Sequence, residues 1–464
     1  MKKVLNRSLL TWFLALAFFV GLGYFTVRLV ANASEWAQLP MNAHLSSTGL
    51  GRAGTIYDRN GIVLAQSVDG ERFYNDDGDV RAALLHTVGD NGTSIATAVQ
   101  SVYRNELVGY NFLLGLGLPE SFRSTSDITL TVDANACAAA YNAMAEYGYK
   151  GAAVVYNYRT GEIICKVSAP TYDPINPPEI QDGDEAYEGA YIDKVISASF
   201  PPGSTFKLIT AAAAIEEIDN SPNGILQCDG GTIIGGEYVT CVQPHGSIDM
   251  NQALAESCNI YFAELAVQLG NDKMTQYAEN FGFNKAFTLG HNDICKSSYN
   301  VKEADTAALA WSGVGQYTDL ANPMHMAMIC SAIANGGTPT YPYLIKDVSS
   351  FFHIGNIKAG LTSDNGGKMM KSTTANKLAD MMRYTVSNHY GDSLFGGDLH
   401  VATKTGTAEV GDGTEDGWIV GFVTDDDCPL AFAVVIENGG FGIESAAPVA
   451  RAALEASAYA VRGY

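Results

Sequence analysis

The chain has 464 residues, with 28 Lys and Arg against 50 Asp and Glu, giving a formal net charge of −22 at pH 7. A surface that acidic repels phosphate backbones and sets nucleic acid aside as a partner. At roughly 150 residues per domain the length supports two or three domains, and apolar residues, 47% of the chain, are enough for a sizeable core.

Lys2, Lys3 and Arg7 precede an uncharged run from Ser8 to Val27 that Arg28 closes. As a helix rising 1.5 Å per residue, that run spans about 30 Å, the thickness of a bilayer core. The reading is a transmembrane anchor over 8–29. The positive cluster keeps residues 1–7 as a cytoplasmic tail and sends the rest of the chain across the cytoplasmic membrane. A cleaved signal peptide is the competing reading, because Ala31-Asn32-Ala33 has the small-residue pattern of a cleavage site. The apolar run is long for a signal peptide, however, and Arg28 intrudes before that site.

Residues 34–126 read as a small mixed module. Within Gly51 to Ala65, Asn60-Gly61 between two alternating apolar runs is a hairpin signal. Asn75-Asp76-Asp77-Gly78-Asp79 and Gly89-Asp90-Asn91-Gly92 read as turns or loops. A longer unit fills 127–464. Asp133 is placed to cap a helix running to about Tyr147. Gly151 to Asn157 is a strand, Arg159-Thr160-Gly161 a turn, and Glu162 to Val167 the returning strand. Leu399–Thr405, Gly417–Val423 and Leu430–Glu437 are three later strands, and Ala446–Val461 is a closing Ala-rich helix. A hairpin early, three strands late and a helical middle make an α+β fold, with the late strands pairing antiparallel to the early hairpin.

Eight cysteines are spread along the chain without a CxxC pair, and the eight histidines show no HExxH cluster, so no metal site and no cofactor are expected. Cys228 and Cys241 flank a Gly-rich stretch and are able to pair in an oxidising compartment; unpaired buried thiols are the equal alternative.

Three short motifs carry chemistry. In Pro201-Pro202-Gly203-Ser204-Thr205-Phe206-Lys207, an apolar helical run follows the serine. Residues i and i+3 share a helix face, so the Lys207 amine can sit at the Ser204 hydroxyl. A desolvated, neutral lysine can take the serine proton, which makes the pair a nucleophile and its base. A serine at a helix start also leaves its backbone N–H free to meet a developing oxyanion. Ser204–Lys207 is the sole S-x-x-K in the chain. Taken alone, the pair reads equally as a helix cap and a solvated lysine.

The second motif is Ser257-Cys258-Asn259. Its serine can relay a proton to a leaving amine, and its asparagine can bind Lys207 and a substrate amide. The same S-x-N pattern recurs at Ser221-Pro222-Asn223, Ser298-Tyr299-Asn300 and Ser363-Asp364-Asn365. Ser257 is preferred because apolar helical sequence flanks it on both sides. The third motif is Lys404-Thr405-Gly406-Thr407 on a predicted strand. Gly406 permits close approach by another backbone. Lys404 and the two hydroxyls form a carboxylate site, and the N–H of Thr407 joins that of Ser204 as a second oxyanion donor. A cation at Lys404 would also depress the pKa of Lys207.

Each motif is weak alone, but S-x-x-K, S-x-N and K-T-G in that order form a specific set. On these motifs the chain resembles class B penicillin-binding proteins, in the short group like penicillin-binding protein A. The likeness extends to Thr55-Ile56-Tyr57-Asp58-Arg59-Asn60-Gly61, Thr160-Gly161-Glu162, Pro170-Thr171-Tyr172-Asp173-Pro174, His245-Gly246, Gly313-Val314-Gly315-Gln316 and Ala334-Asn335-Gly336-Gly337. One departure is Ala53, where the family usually has Arg directly before the Gly of its first N-terminal motif; here Arg52 lies one position earlier.

The resemblance implies a penicillin-binding/β-lactamase-like transpeptidase fold at 127–464: an antiparallel five-stranded sheet flanked by helices, with a helical subdomain. It makes 34–126 an N-terminal pedestal or dimerisation-like module. It implies a D,D-transpeptidase in which Ser204 attacks the D-Ala-D-Ala carbonyl of a peptidoglycan stem peptide. Lys207 would be the base, Ser257 the proton relay and Asn259 a ligand of substrate and Lys207, while Lys404, Thr405 and Thr407 would hold the terminal carboxylate beside Gly406. β-Lactam antibiotics would acylate Ser204, and cell-division or elongation proteins are the partners such a role brings. A D,D-carboxypeptidase is the nearest alternative. A class A β-lactamase is disfavoured because no E-x-x-L-N stretch lies between Ser257 and Lys404. A class D enzyme would resemble S-x-V at the second motif, and an idle scaffold does not explain three intact motifs.

Overall fold

The computed structural model describes residues 2–38, 49–109, 125–181, 183–349, 361–362, 367–411 and 413–463. The first element is one long helix, α1 (Lys2–Gln38). Its stretch Arg7–Arg28 is 22 residues with mean hydropathy 1.9 and is not buried against the rest of the chain. Large apolar side chains stand out on all sides of it, Trp12 being 74% exposed. A helix apolar all round needs a non-aqueous neighbour, and by length and composition this one is able to cross a membrane.

The central sheet has five strands: β1 (Lys150–Asn157), β2 (Ile163–Ala169), β3 (Val401–Glu409), β4 (Glu415–Val423) and β5 (Leu430–Glu437). Their order is β3-β4-β5-β1-β2, and every neighbour is antiparallel. The late strands do join the early hairpin: Leu430 lies opposite Asn157 and Glu437 opposite Lys150. The β1–β2 turn forms because the Asn157 carboxamide accepts from the N–H groups of Arg159 and Thr160 while Gly161 takes a φ of +85°. β5 is a continuous apolar run in which all residues but Glu437 are buried. Such a strand requires cover on both faces, which the helices supply.

Six further helices position the site: α2 (Ala134–Ala145), α3 (Lys207–Glu217), α4 (Asn259–Asn280, broken at Gly270), α5 (Pro323–Ala334), α6 (Ser372–Thr385) and α7 (Gly442–Arg462). α2 and α7 pack on each other and on the sheet, and α5 packs on β4, β5 and β1. α3 lies against α4 and α6, and α6 against β3. The closing helix starts at Gly442, before the expected Ala446, and keeps Pro448 inside it. The expected loop at Asn75–Asp79 ends as a helix start, because Asp77 accepts from the N–H of Asp79 and caps Gly78–Ala83.

A second five-stranded sheet is built from Ile56–Tyr57, Val63–Val68 and Glu71–Tyr74 together with Asp127–Leu130 and Ile345–Ser349. It takes strands from both sides of residue 126. The expected hairpin at Asn60-Gly61 is present, with Ile56 opposite Ala65. Buried Asp58 organises it: one oxygen accepts from the N–H groups of Asn60 and Ile62, each at 2.8 Å, and the other from Ala134 N at 3.2 Å. That last bond ties the hairpin to the start of α2, which Asp133 caps through Ala136 N at 2.9 Å.

Replacing Asp58 with Ala removes the acceptor of three N–H groups, that of Ala134 being buried, at about 1–3 kcal/mol. Asp58→Ala should lower the thermal unfolding midpoint measured by calorimetry; an unchanged midpoint would contradict this role.

Candidate active site

The nucleophile candidate stands on a tight turn. Gly203–Phe206 is one turn of 3₁₀ helix that runs directly into α3. Gly203 has a φ of +51°, and a Cβ there would lie 2.4 Å from the carbonyl oxygen of Thr407. Glycine is therefore required at this position. Gly203 N donates to Gly315 O at 3.1 Å, and Trp418 Nε1 donates to Pro201 O at 2.9 Å, which fixes the Pro-Pro-Gly approach from two sides. Behind the turn, Phe206 stacks on Tyr299 with ring centroids 4.9 Å apart.

The three motifs meet. Lys207 Nζ lies 2.9 Å from Ser204 Oγ and 3.2 Å from Ser257 Oγ. It donates to Ser257 O at 2.5 Å and to Asn259 Oδ1 at 2.7 Å. Lys404 Nζ donates to Ser257 Oγ at 2.9 Å and to Thr405 O at 2.8 Å. The Ser257 hydroxyl thus sits between two lysine amines. Ser257 itself has a φ of +53°, an uncommon conformation for a residue with a side chain. Of the other S-x-N segments, Ser221–Asn223 forms a short helix whose serine bonds to Ala214 O, and Ser298 pairs with Leu320. Ser363-Asp364-Asn365 lies outside the described residues.

Both lysines are fully buried. Burial lowers the Lys207 pKa to about 7. Burial also pushes Lys404 well below its ordinary value, and the charge on Lys207 pushes it further. The dominant effect on Lys207 is therefore loss of water rather than the Lys404 cation. A neutral Lys207 has two N–H groups for Ser257 O and Asn259 Oδ1 and one lone pair for a serine hydroxyl. That is the state in which it can act as a base.

These groups open onto a cleft of about 620 Å³ lined by Ser204, Ser257, Asn259, Thr405, Gly406 and Thr407. The Lys404 amine faces the Ser257 hydroxyl and is withdrawn from water, so the two threonines, not the amine, present the strand to the cleft. β3 is an edge strand whose free side meets this cleft. Motif reading did not find Tyr390. Its hydroxyl is 2.8 Å from Thr405 Oγ1, and it lies on a π-helical turn, Val386–Tyr390, that no sequence period announces. Trp311, Gln316 and His389 also line the cleft, and of these only Gln316 lies in a stretch that the family likeness marks.

Cysteines and a histidine gather behind the second motif. Cys228, Cys241, His245 and Cys258 place their ligand atoms within 4.8 Å of one another. No metal site is expected from their spacing in sequence, because the four residues follow neither a CxxC nor an HExxH pattern.

The family pattern of the penicillin-binding protein transpeptidase domain matches residues 151–455. The chain belongs to that family. It is a class B, PbpA-like member. Relatives include the peptidoglycan D,D-transpeptidase PbpA of Mycolicibacterium smegmatis, 28% identical over 66% of this chain and 67% of that one. Penicillin-binding protein 3 of Bacillus subtilis is 30% identical over 67% of this chain and 48% of its own length. Among solved structures, the ceftriaxone acyl-enzyme of penicillin-binding protein A from M. tuberculosis has a TM-score of 0.77 at 26% identity, covering 89% of this chain and 99% of that one. The D,D-transpeptidase domain from Eggerthella lenta has a TM-score of 0.71 at 29% identity over the same shares.

If neutral Lys207 activates Ser204, acylation by a fluorescent penicillin should speed up as pH rises through about 7, where the amine loses its proton, and level off above it. Stopped-time labelling across pH tests this; a rate flat from about pH 5 to 8 would remove Lys207 as the base.

Proposed function

We propose that this chain is a peptidoglycan D,D-transpeptidase working through a Ser204 acyl-enzyme. The observation that carries the proposal is the buried Lys207 amine at 2.9 Å from the Ser204 hydroxyl, joined through Ser257 to Lys404. Relatives named as peptidoglycan D,D-transpeptidases, and β-lactam acyl-enzymes of a similar structure, support the same reading.

In this mechanism Ser204 Oγ attacks the carbonyl carbon of the penultimate D-Ala while Lys207 takes its proton. The N–H groups of Ser204 and Thr407 hold the oxyanion. The scissile C–N bond then breaks, and the proton passes from Lys207 through Ser257 to the departing D-Ala amine. The ester on Ser204 is next attacked by the amine of a neighbouring stem peptide, which loses its proton to the same relay and restores the free serine. Asn259 holds the substrate amide and Lys207 together. Thr405 and Thr407, with Gly406 between them and the Lys404 charge behind, hold the terminal carboxylate. An extended donor peptide is able to lie along the free edge of β3. β-Lactams acylate Ser204 by the same first step and stay.

α1 serves as a single-pass anchor with residues 1–7 inside and 127–464 outside the cytoplasmic membrane, as the basic residues before the apolar run favour. In this arrangement residues 34–126 form a pedestal between anchor and catalytic unit.

Fluorescent penicillin should label the wild type and fail to label Ser204→Ala; persistent labelling of the variant would refute the nucleophile. Given a stem-peptide donor with and without an amine acceptor, the enzyme should form crosslinked product. Release of free D-Ala with no crosslink would make it a carboxypeptidase instead.

A further inference from the structure

Four side chains that take no part in acyl transfer converge behind the second motif from separate elements. Cys228 ends the strand Leu226–Cys228, and Cys241 follows the strand Glu237–Thr240. His245 precedes the strand Gly246–Ile248, and Cys258 is the N-cap of α4. Cys228 Sγ is 3.3 Å from His245 Nδ1, and Cys241 Sγ is 3.6 Å from Cys258 Sγ. All four ligand atoms lie within 4.8 Å of one another.

The 3.3 Å and 3.6 Å separations lie close to the edges of a coordination tetrahedron. Zn–S bonds of about 2.3 Å and Zn–N bonds of about 2.0 Å place sulfurs about 3.8 Å apart and a sulfur and a nitrogen about 3.5 Å apart. A disulfide would need sulfurs near 2.0 Å apart, and all eight cysteines are free thiols. Three sulfurs and one imidazole nitrogen are soft donors that suit Zn²⁺ and not Mg²⁺ or Ca²⁺.

We propose that Cys228, Cys241, His245 and Cys258 bind one structural Zn²⁺. Four protein ligands leave no open position for water or substrate, which separates this site from a catalytic zinc. On binding, three S–H bonds are replaced by three S–Zn bonds and the protons pass to solvent. His245 donates the Nδ1 lone pair as neutral imidazole, so no redox step occurs.

The location gives the metal a positioning role. Cys258 is the middle residue of Ser257-Cys258-Asn259. Asn259 N donates to Cys241 Sγ at 3.0 Å, and Asn259 Nδ2 donates to Thr240 O at 2.8 Å. Thr240, Cys241 and His245 also line the wall of the cleft. The ion therefore staples the 226–248 segment to the turn that presents Ser257 and Asn259.

The test is metal analysis of the full chain, without a histidine tag, purified reduced in detergent. About one zinc per chain is expected by plasma mass spectrometry. Cys228→Ser and His245→Ala should each lower the content at least about tenfold at equal free zinc. Cys330→Ser, in the α5 core, and Ser204→Ala should leave it unchanged, which keeps this result independent of acylation. Chelator-stripped wild type titrated with Co²⁺ should show the thiolate charge-transfer and d–d bands of a tetrahedral site at a one-to-one ratio, and this arm stands even where a variant fails to fold. A chain that takes up no zinc or cobalt would overturn the proposal. So would variants that keep full metal, or a native disulfide among Cys228, Cys241 and Cys258 found in the unreduced chain.

Discussion

The amines of Lys207 and Lys404 are wholly withdrawn from water, and among the described residues their partners are hydroxyls, carbonyls and an amide rather than carboxylates. An unpaired buried cation costs several kcal/mol. The least costly response is to give up a proton. Because both amines contact the same Ser257 oxygen, a proton on one raises the cost of a proton on the other, and the two titrate as a pair. Lys207 has three further polar partners: Ser257 O and Asn259 Oδ1 accept its N–H groups, and the Ser204 hydroxyl is able to meet its lone pair when the amine is neutral. The protonation of the amine beside Ser204 thus follows from a balance of solvation that the surrounding fold must maintain.

The fold maintains it by bringing three backbones into contact. The 3₁₀ turn before α3, the edge strand β3 and the turn before α4 belong to distant parts of the chain. Gly203 meets the Thr407 carbonyl where no side chain fits, and a Cβ on Gly315 would lie 2.1 Å from Gly203 O. Gly406 is close to Pro202 O and to the Trp418 side chain. These close approaches pack the three backbones together beside the two buried lysines. They also explain why glycines lie at the centre of two motifs.

Much of this was legible in the sequence, for physical reasons. The i, i+3 spacing of Ser204 and Lys207 is a local property of a helix, so it survives without knowledge of the fold. Leu430–Glu437 is a strand in sequence and in structure because its apolar run is unbroken. Ser257, flanked by helices in sequence and in structure, meets both lysines, while Ser221 and Ser298 bond locally elsewhere. Tyr390 was not legible, since its helical turn has no periodic signal and its partner Thr405 is fifteen positions away. The N-terminal sheet hid one strand for a similar reason: Ile345–Ser349 pairs with Asp127–Leu130 across more than two hundred residues. The three cysteines and His245 were invisible as a cluster because they lie thirteen, four and thirteen positions apart, spacings that acquire meaning only when three short strands and a helix cap converge.

That convergence bears on the strain at Ser257. A positive φ on a serine costs of order 1–3 kcal/mol and persists only where its surroundings over-determine it. Ser257 N and Cys258 N are held by Leu254 O and Ala253 O of the preceding helix. On the following side, Tyr261 N and Asn259 N donate to the sulfurs of Cys258 and Cys241. The hydroxyl is gripped by Lys404 and the carbonyl by Lys207. Each grip fixes a different atom of one residue, so the strained turn and the buried lysines stabilise each other. Relaxing Ser257 would swing its carbonyl away from Lys207 and remove a partner the neutral amine needs. The conformation of one serine and the protonation of one lysine are thus a single constraint, and the cysteine-lined segment, part of which lines the wall of the same cleft, holds it from beside the second motif.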